Sequence, residues 1–116
     1  MRAPAWLRLA APAPNFELED GTALRLLSAM EVLEARREAA ELAAEDRERA
    51  LCSNACLLAR ALHRKGVPVY DSGREVLERL TVSRIQDLAS RWAEFDRREN
   101  PGPNAGREAV ERIKKA

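Results

Sequence analysis

Cys52, Cys56 and His63 are the side chains of this sequence best suited to chemistry, since thiolate and imidazole bind soft metals and carry redox or nucleophilic steps. A spacing of four puts both cysteines on one side of a helix, and His63 follows on the same side, seven positions later. The functional reading is a soft metal site or a redox pair. It offers three ligands at most, and His63 lies about 10 Å beyond Cys56 along a helix axis. The plainer reading is two buried thiols used as small apolar residues and a histidine near a helix end. That reading implies no metal and no cofactor.

Other catalytic arrangements find less support. Glu and Asp alternate with Arg along the helical stretches, as solvated i,i+4 partners do. A single histidine within a helix cannot build a Ser-His-Asp set. The five glycines stand singly in turns or near the end of the chain, so no loop is built to cradle phosphate. The chain reads as a non-enzyme.

Two features read instead as recognition surface. Leu57 lies off the main apolar arc of its helix, on the side of Ser53, Arg60 and Arg64. Trp6 sits in a proline-flanked arm, where it is either an exposed anchor or folded back onto the hairpin. Trp6, Leu57, Arg60 and Arg64 are thus the candidate partner-binding residues. A third candidate is residues 76–92, where a short helix, Thr81 and a second helix have the outline of a helix-turn-helix. Ser83, Arg84 and Gln86 would then read bases. Against it, the turn lacks glycine, Asp87 would face phosphates, and no Lys/Arg cluster flanks the unit.

The elements that must position these residues follow from local pattern. Pro4, Pro12 and Pro14 oppose helix, so residues 1–14 form an arm. Phe16 and Leu18 alternate with Glu17 and Glu19, Asp20-Gly21 follows, and Leu24 and Leu26 flank Arg25, which predicts a β-hairpin. Ser28 with Glu31 is a capping box opening a helix. Met30 and Leu33 mark one stripe of that helix; Val32, Ala35, Ala39 and Leu42 mark another. The charged run at 45–49 predicts a kink or turn between two helices, although one long helix is the alternative. The second helix carries an apolar arc through Leu51, Cys52, Ala55, Cys56, Leu58, Ala59 and Leu62, and Gly66 is read as its C′ residue after His63, Arg64 and Lys65. Val67–Tyr70 is extended, a short helix runs through Val76, Leu77 and Leu80, and Thr81 caps a helix over about 82–98. Pro101–Gly106 breaks the chain, and Arg107–Ala116 has only Val110 and Ile113 as large apolar residues. The expected organisation is a mainly α domain over 15–100 with an N-terminal β-hairpin, and a linker with a flexible tail over 101–116.

Composition agrees with a small helical domain. Of the 116 residues 46% are hydrophobic, but 21 are alanine and 15 leucine, so the core rests mainly on leucine. Formal net charge is +1, split into −3 over residues 1–59 and +4 over residues 60–116. This is too diffuse for a strong nucleic-acid footprint, while opposite-signed ends favour head-to-tail contact between copies. No apolar run reaches the length needed to span a membrane, and Arg8 and the prolines interrupt any signal-peptide core, which implies a cytoplasmic protein.

The layout resembles a family. Phe16-Glu17-Leu18-Glu19-Asp20-Gly21 with Leu24-Arg25-Leu26 is similar to the opening hairpin of tail assembly chaperones of long-tailed bacteriophages, prophages and related gene-transfer particles. Ser28–Leu33 is similar to the helix that follows, and Leu80–Leu88 with Trp92, Phe95 and Asn100-Pro101 to the closing unit. The likeness covers roughly residues 15–101 and is one of hydrophobic pattern; the arm 1–14 departs from it. It implies a non-catalytic protein of the host bacterial cytoplasm that coats the tape-measure protein and recruits tail-tube subunits, without cofactor or membrane. Some members are made in a second, longer form by ribosomal frameshifting, for which codons at Lys114-Lys115 are candidates; the plain alternative is a short basic tail. The alternative class is a small helical regulator or adaptor, including a DNA-binding one through 76–92.

Overall fold

The computed structural model describes residues 14–100; the expected tail 101–116 and, apart from Pro14, the arm, with its candidate Trp6, lie outside the described residues. Two strands open the domain, β1 (Asn15–Glu17) and β2 (Ala23–Arg25), with Phe16 opposite Leu24. Asp20-Gly21 lies at the tip between them, where Gly21 takes φ +85°. Helix α1 (Ala29–Leu42) starts on the capping box: Ser28 Oγ accepts from Glu31 N–H, and the Glu31 carboxylate accepts from Ser28 N–H. A 3-10 turn over Asp46–Glu48 separates α1 from α2 (Arg49–Ala61), so the charged run does break the helix in two. Helices α3 (Gly73–Arg79) and α4 (Val82–Glu99) follow, capped by Ser72 and Thr81. The fold is mainly α, as its periodicity implies.

One element differs from the sequence expectation. Helix α2 stops at Ala61 instead of running to Lys65. Leu62 caps it at φ −83°, ψ 122° and enters strand β3 (Leu62–Arg64), which turns back into β4 (Val67–Pro68). Gly66 is therefore no helix C′ residue. Lys65 (φ 51°) and Gly66 (φ 82°) form a two-residue hairpin turn with both residues at positive φ, the pair of conformations that matches the twist of the strands it joins. The cause is tertiary. β2 presents an open edge, and β3 pairs with it antiparallel, Leu24 opposite Leu62 and Ala23 opposite His63. The result is a four-stranded sheet in the order β1-β2-β3-β4.

Helix α2 is central, packing against α1, α3, α4 and the sheet. The main core joins Leu24 and Leu62 of the sheet to Leu58, Val76, Ile85, Leu88 and Trp92. A second, smaller cluster joins Ala35 and Ala39 of α1 to Cys52 and Cys56 of α2. Small side chains on both helices let their backbones approach, so the contact buries little apolar area yet fixes α1 closely. No helix among the described residues is long and apolar enough to cross a membrane.

Candidate partner-binding surface

The cysteines sit where α1, α2 and α3 meet. Burial raises the Cys52 thiol, and burial together with the nearby Glu38 carboxylate pushes Cys56 up to about 12. Both are therefore thiols at neutral pH, poorly suited to nucleophilic or ligand duty. His63 is not on their helix: it lies in β3, where its Nδ1 accepts from Gly66 N–H at 3.3 Å across the hairpin turn. Its buried Nε2 has no hydrogen-bond partner among the described residues. Among those residues no three His, Cys, Asp or Glu side chains converge as a metal site would require.

The surface candidates are also redistributed. Leu57 is half-buried against the main core, because α2 is enclosed by other elements on several sides and its off-arc flank is covered too. It is not a free anchor. Arg60 is drawn inward, donating to Glu38 Oε1 at 2.7 Å and to the Cys56 carbonyl at 3.0 Å. Arg64 remains exposed but belongs to β3 rather than α2, and donates to the Asp20 carbonyl at 3.3 Å. Leu57, Arg60 and Arg64 therefore form no shared helix face.

Glu38 is a residue the sequence pattern passed over. It lies in a charged run and reads as solvated, yet its Oε2 also accepts from Gly73 N–H at 2.8 Å. Burial works to raise this carboxyl, but the hydrogen bonds from Arg60 and Gly73 outweigh it and hold it below the usual carboxylate range. One carboxylate thus ties α1 to α2 and to the start of α3. The available signal was its place beside Ala39 on the inward side of α1.

Among the described residues the large exposed apolar side chains are Met30 and Leu33 on α1, Val67 on β4 and Val82 at the start of α4, and α1 carries two of them one turn apart. Met30 is 56% exposed and Leu33 44%, while the Ala35–Ala39 stripe faces α2. Beside them runs a groove of about 350 Å3. Ala29, Val32, Leu33 and Arg36 form one wall, an i, i+3, i+4, i+7 set on α1; Trp92 and Asp96 of α4, with Asn100 just past its end, form the other. Leu27 lines it as well.

No family model, curated protein or solved structure matches the chain.

Two helix walls splay apart with apolar side chains between them and one charge on each, Arg36 and Asp96. Such a groove has the shape and lining to take a helix with an i, i+3, i+4, i+7 apolar face. Met30, next to Leu33, extends the apolar strip beyond the wall, and the unbranched thioether of methionine adapts to varied partners.

Proposed function

We propose that the chain is a non-catalytic helix-binding protein that works as a tail assembly chaperone, in the building of long tails of phages, prophages or gene-transfer particles. In this reading it coats the tape-measure protein in the host cytoplasm and recruits tail-tube subunits. The observation that carries the binding half is the groove between α1 and α4 with Met30 and Leu33 exposed beside it. The resemblance over residues 15–101 supplies the kind of partner, a long amphipathic helix that would aggregate if left bare. Copies stacked along such a helix suit the split of charge between the two halves of the chain.

The second reading, a regulator reading DNA through residues 76–92, is less well supported by the side chains. Arg84 approaches Asp20 at 3.9 Å and Asp87 at 3.5 Å, and Arg91 pairs with Glu19 at 2.8 Å and Asp87 at 3.3 Å. Acidic neighbours on that face repel phosphate.

The test is co-expression with the tape-measure protein of the same particle. A complex is expected that Leu33→Asp weakens by about tenfold or more, as loss of an apolar anchor does, with the melting temperature unchanged. A tape-measure protein that finds no complex, or a complex indifferent to both Met30→Asp and Leu33→Asp, would count against the reading.

A further inference from the structure

We propose that the outer face of the sheet carries a binding site for a small monocarboxylate with an apolar body. The site goes beyond the helix-binding groove and shares no described lining residue with it.

The register of the sheet builds it. Asn15 stands opposite Arg25, Ala23 opposite His63, and His63 opposite Pro68. Residues opposite one another, or two apart along a strand, share a face. Asn15, Arg25, His63 and Pro68, one from each strand, therefore lie on the face opposite to Leu24 and Leu62, which belong to the main core. All four line a cavity of about 340 Å3, together with Arg60 from the last turn of α2. Its volume is that of a site for a small ligand.

The donors left over there supply the chemistry. Both hydrogen bonds of Arg60 leave from Nη1, to Glu38 and to the Cys56 carbonyl, so its Nε–Nη2 edge has no partner among the described residues. That edge presents two parallel N–H groups at the spacing of the two oxygens of a carboxylate. His63 is 8% exposed, and its Nδ1 accepts from Gly66 N–H, which places the ring proton on Nε2. Nε2 is thus a buried donor with no acceptor among the described residues, a costly state that a ligand oxygen reaching it relieves.

Charge and lining choose among anions. Arg25 is already matched by Glu31 and Arg60 by Glu38, so two guanidiniums face two carboxylates before any ligand arrives. The free donors can hold one further negative charge, whereas a phosphate dianion would bring more charge out of water than they offset. None of the described residues lining the cavity is acidic. The adjoining concavity, which shares Arg25, Arg60 and Pro68, is lined by Glu38 and Asp71 and turns an anion away. Leu26 and Pro68 add apolar contact, which calls for a short aliphatic or aromatic body on the acid.

Benzoate serves as the probe. It is titrated into the full chain at constant ionic strength, with methyl phosphate in a parallel series, and NMR follows both. Saturable shifts are expected at the His63 ring, the Arg60 Nε–H and the Asn15 amide, with the millimolar affinity of so small a ligand, while Met30 and Leu33 do not move. Arg60→Lys keeps the charge but removes the paired donors and should weaken benzoate about tenfold. Asn15→Asp changes an exposed residue and sets a like charge at the cavity, which should weaken it about fivefold. Absence of saturable shifts at these residues, or a benzoate affinity indifferent to both substitutions, overturns the proposal. Methyl phosphate binding as tightly as benzoate overturns its restriction to a monoanion.

Discussion

The Trp92 indole N–H donates to the backbone carbonyl of Arg25 at 2.9 Å, pinning the middle of α4 to the last residue of β2 across 67 positions of sequence. The ring is only 8% exposed and packs in the main core with Leu24 and Leu88. Trp92→Ala removes both the packing and the hydrogen bond and is expected to destabilise the domain by about 3–5 kcal/mol. Trp92→Phe keeps much of the packing and loses the bond, at about 1–2 kcal/mol. Chemical denaturation reads both; an unchanged midpoint for the alanine variant would mean that the ring is not part of the core.

Acid should weaken the start of α1. Arg25 bonded to Glu31, aided by the Ser28 N–H of the capping box, outweighs burial and holds the Glu31 carboxyl down at about 2 against an ordinary 4.5. A carboxyl with a depressed folded pKa binds protons more readily in the unfolded chain, so its contribution is complete above pH 4.5 and lost as pH falls towards 2. In Glu31→Gln the denaturation midpoint should fall less steeply across that window. Parallel slopes for the two proteins would remove Glu31 from the account.

At Gly73 the start of α3 touches α2. A Cβ added there would overlap Cys56 Sγ and come within 3.0 Å of Cys56 Cα. Gly73→Ala should therefore cost about 1–3 kcal/mol, as overpacking does. Adding Cys56→Ala removes the sulfur and should recover part of that loss, a coupling that a double-mutant cycle measures directly. Additive effects of the two substitutions would show that the helices do not meet there.

The thiols give the fourth expectation. With Cys52 and Cys56 buried and both thiols raised, disulfide reagents should label the native protein slowly at neutral pH and the unfolded protein at the ordinary thiol rate. Cys52→Ala with Cys56→Ala should cost modest stability and leave partner binding intact. Rapid labelling of native protein, or stoichiometric zinc lost in the double variant, would restore the metal or redox reading.

Much of this architecture was legible because its signals are local. Ser28 with Glu31 and Thr81 with Arg84 N–H are complete within four residues, and Ile85, Leu88, Trp92 and Phe95 repeat at the helical period. The second hairpin was hidden because Leu62 continues the arc of α2 and Lys65-Gly66 reads equally as a helix end. What decides between the two is the free edge of β2, which no local pattern contains. The groove was half legible. Both stripes of α1 could be seen, but volume suggests that Met30 and Leu33 face inward, whereas Ala35 and Ala39 do. Close approach to Cys52 and Cys56 needs small residues on both sides, so the larger pair is left outside.

The pairing of β2 with β3 also sets an order of events. Each hairpin closes within about ten residues and each helix within itself, so these contacts cost little chain entropy to form. Ala23 meets His63 only after both α1 and α2 have been laid down between them, forty positions of chain brought to one edge. Loop closure of that length is the costly step, and the sheet is where it is repaid. A ribosome releasing this chain would thus expose α1, with Met30 and Leu33 on its outer side, before the strand that completes the sheet has emerged. Its apolar strip meets the surrounding solution first as part of an unfinished domain.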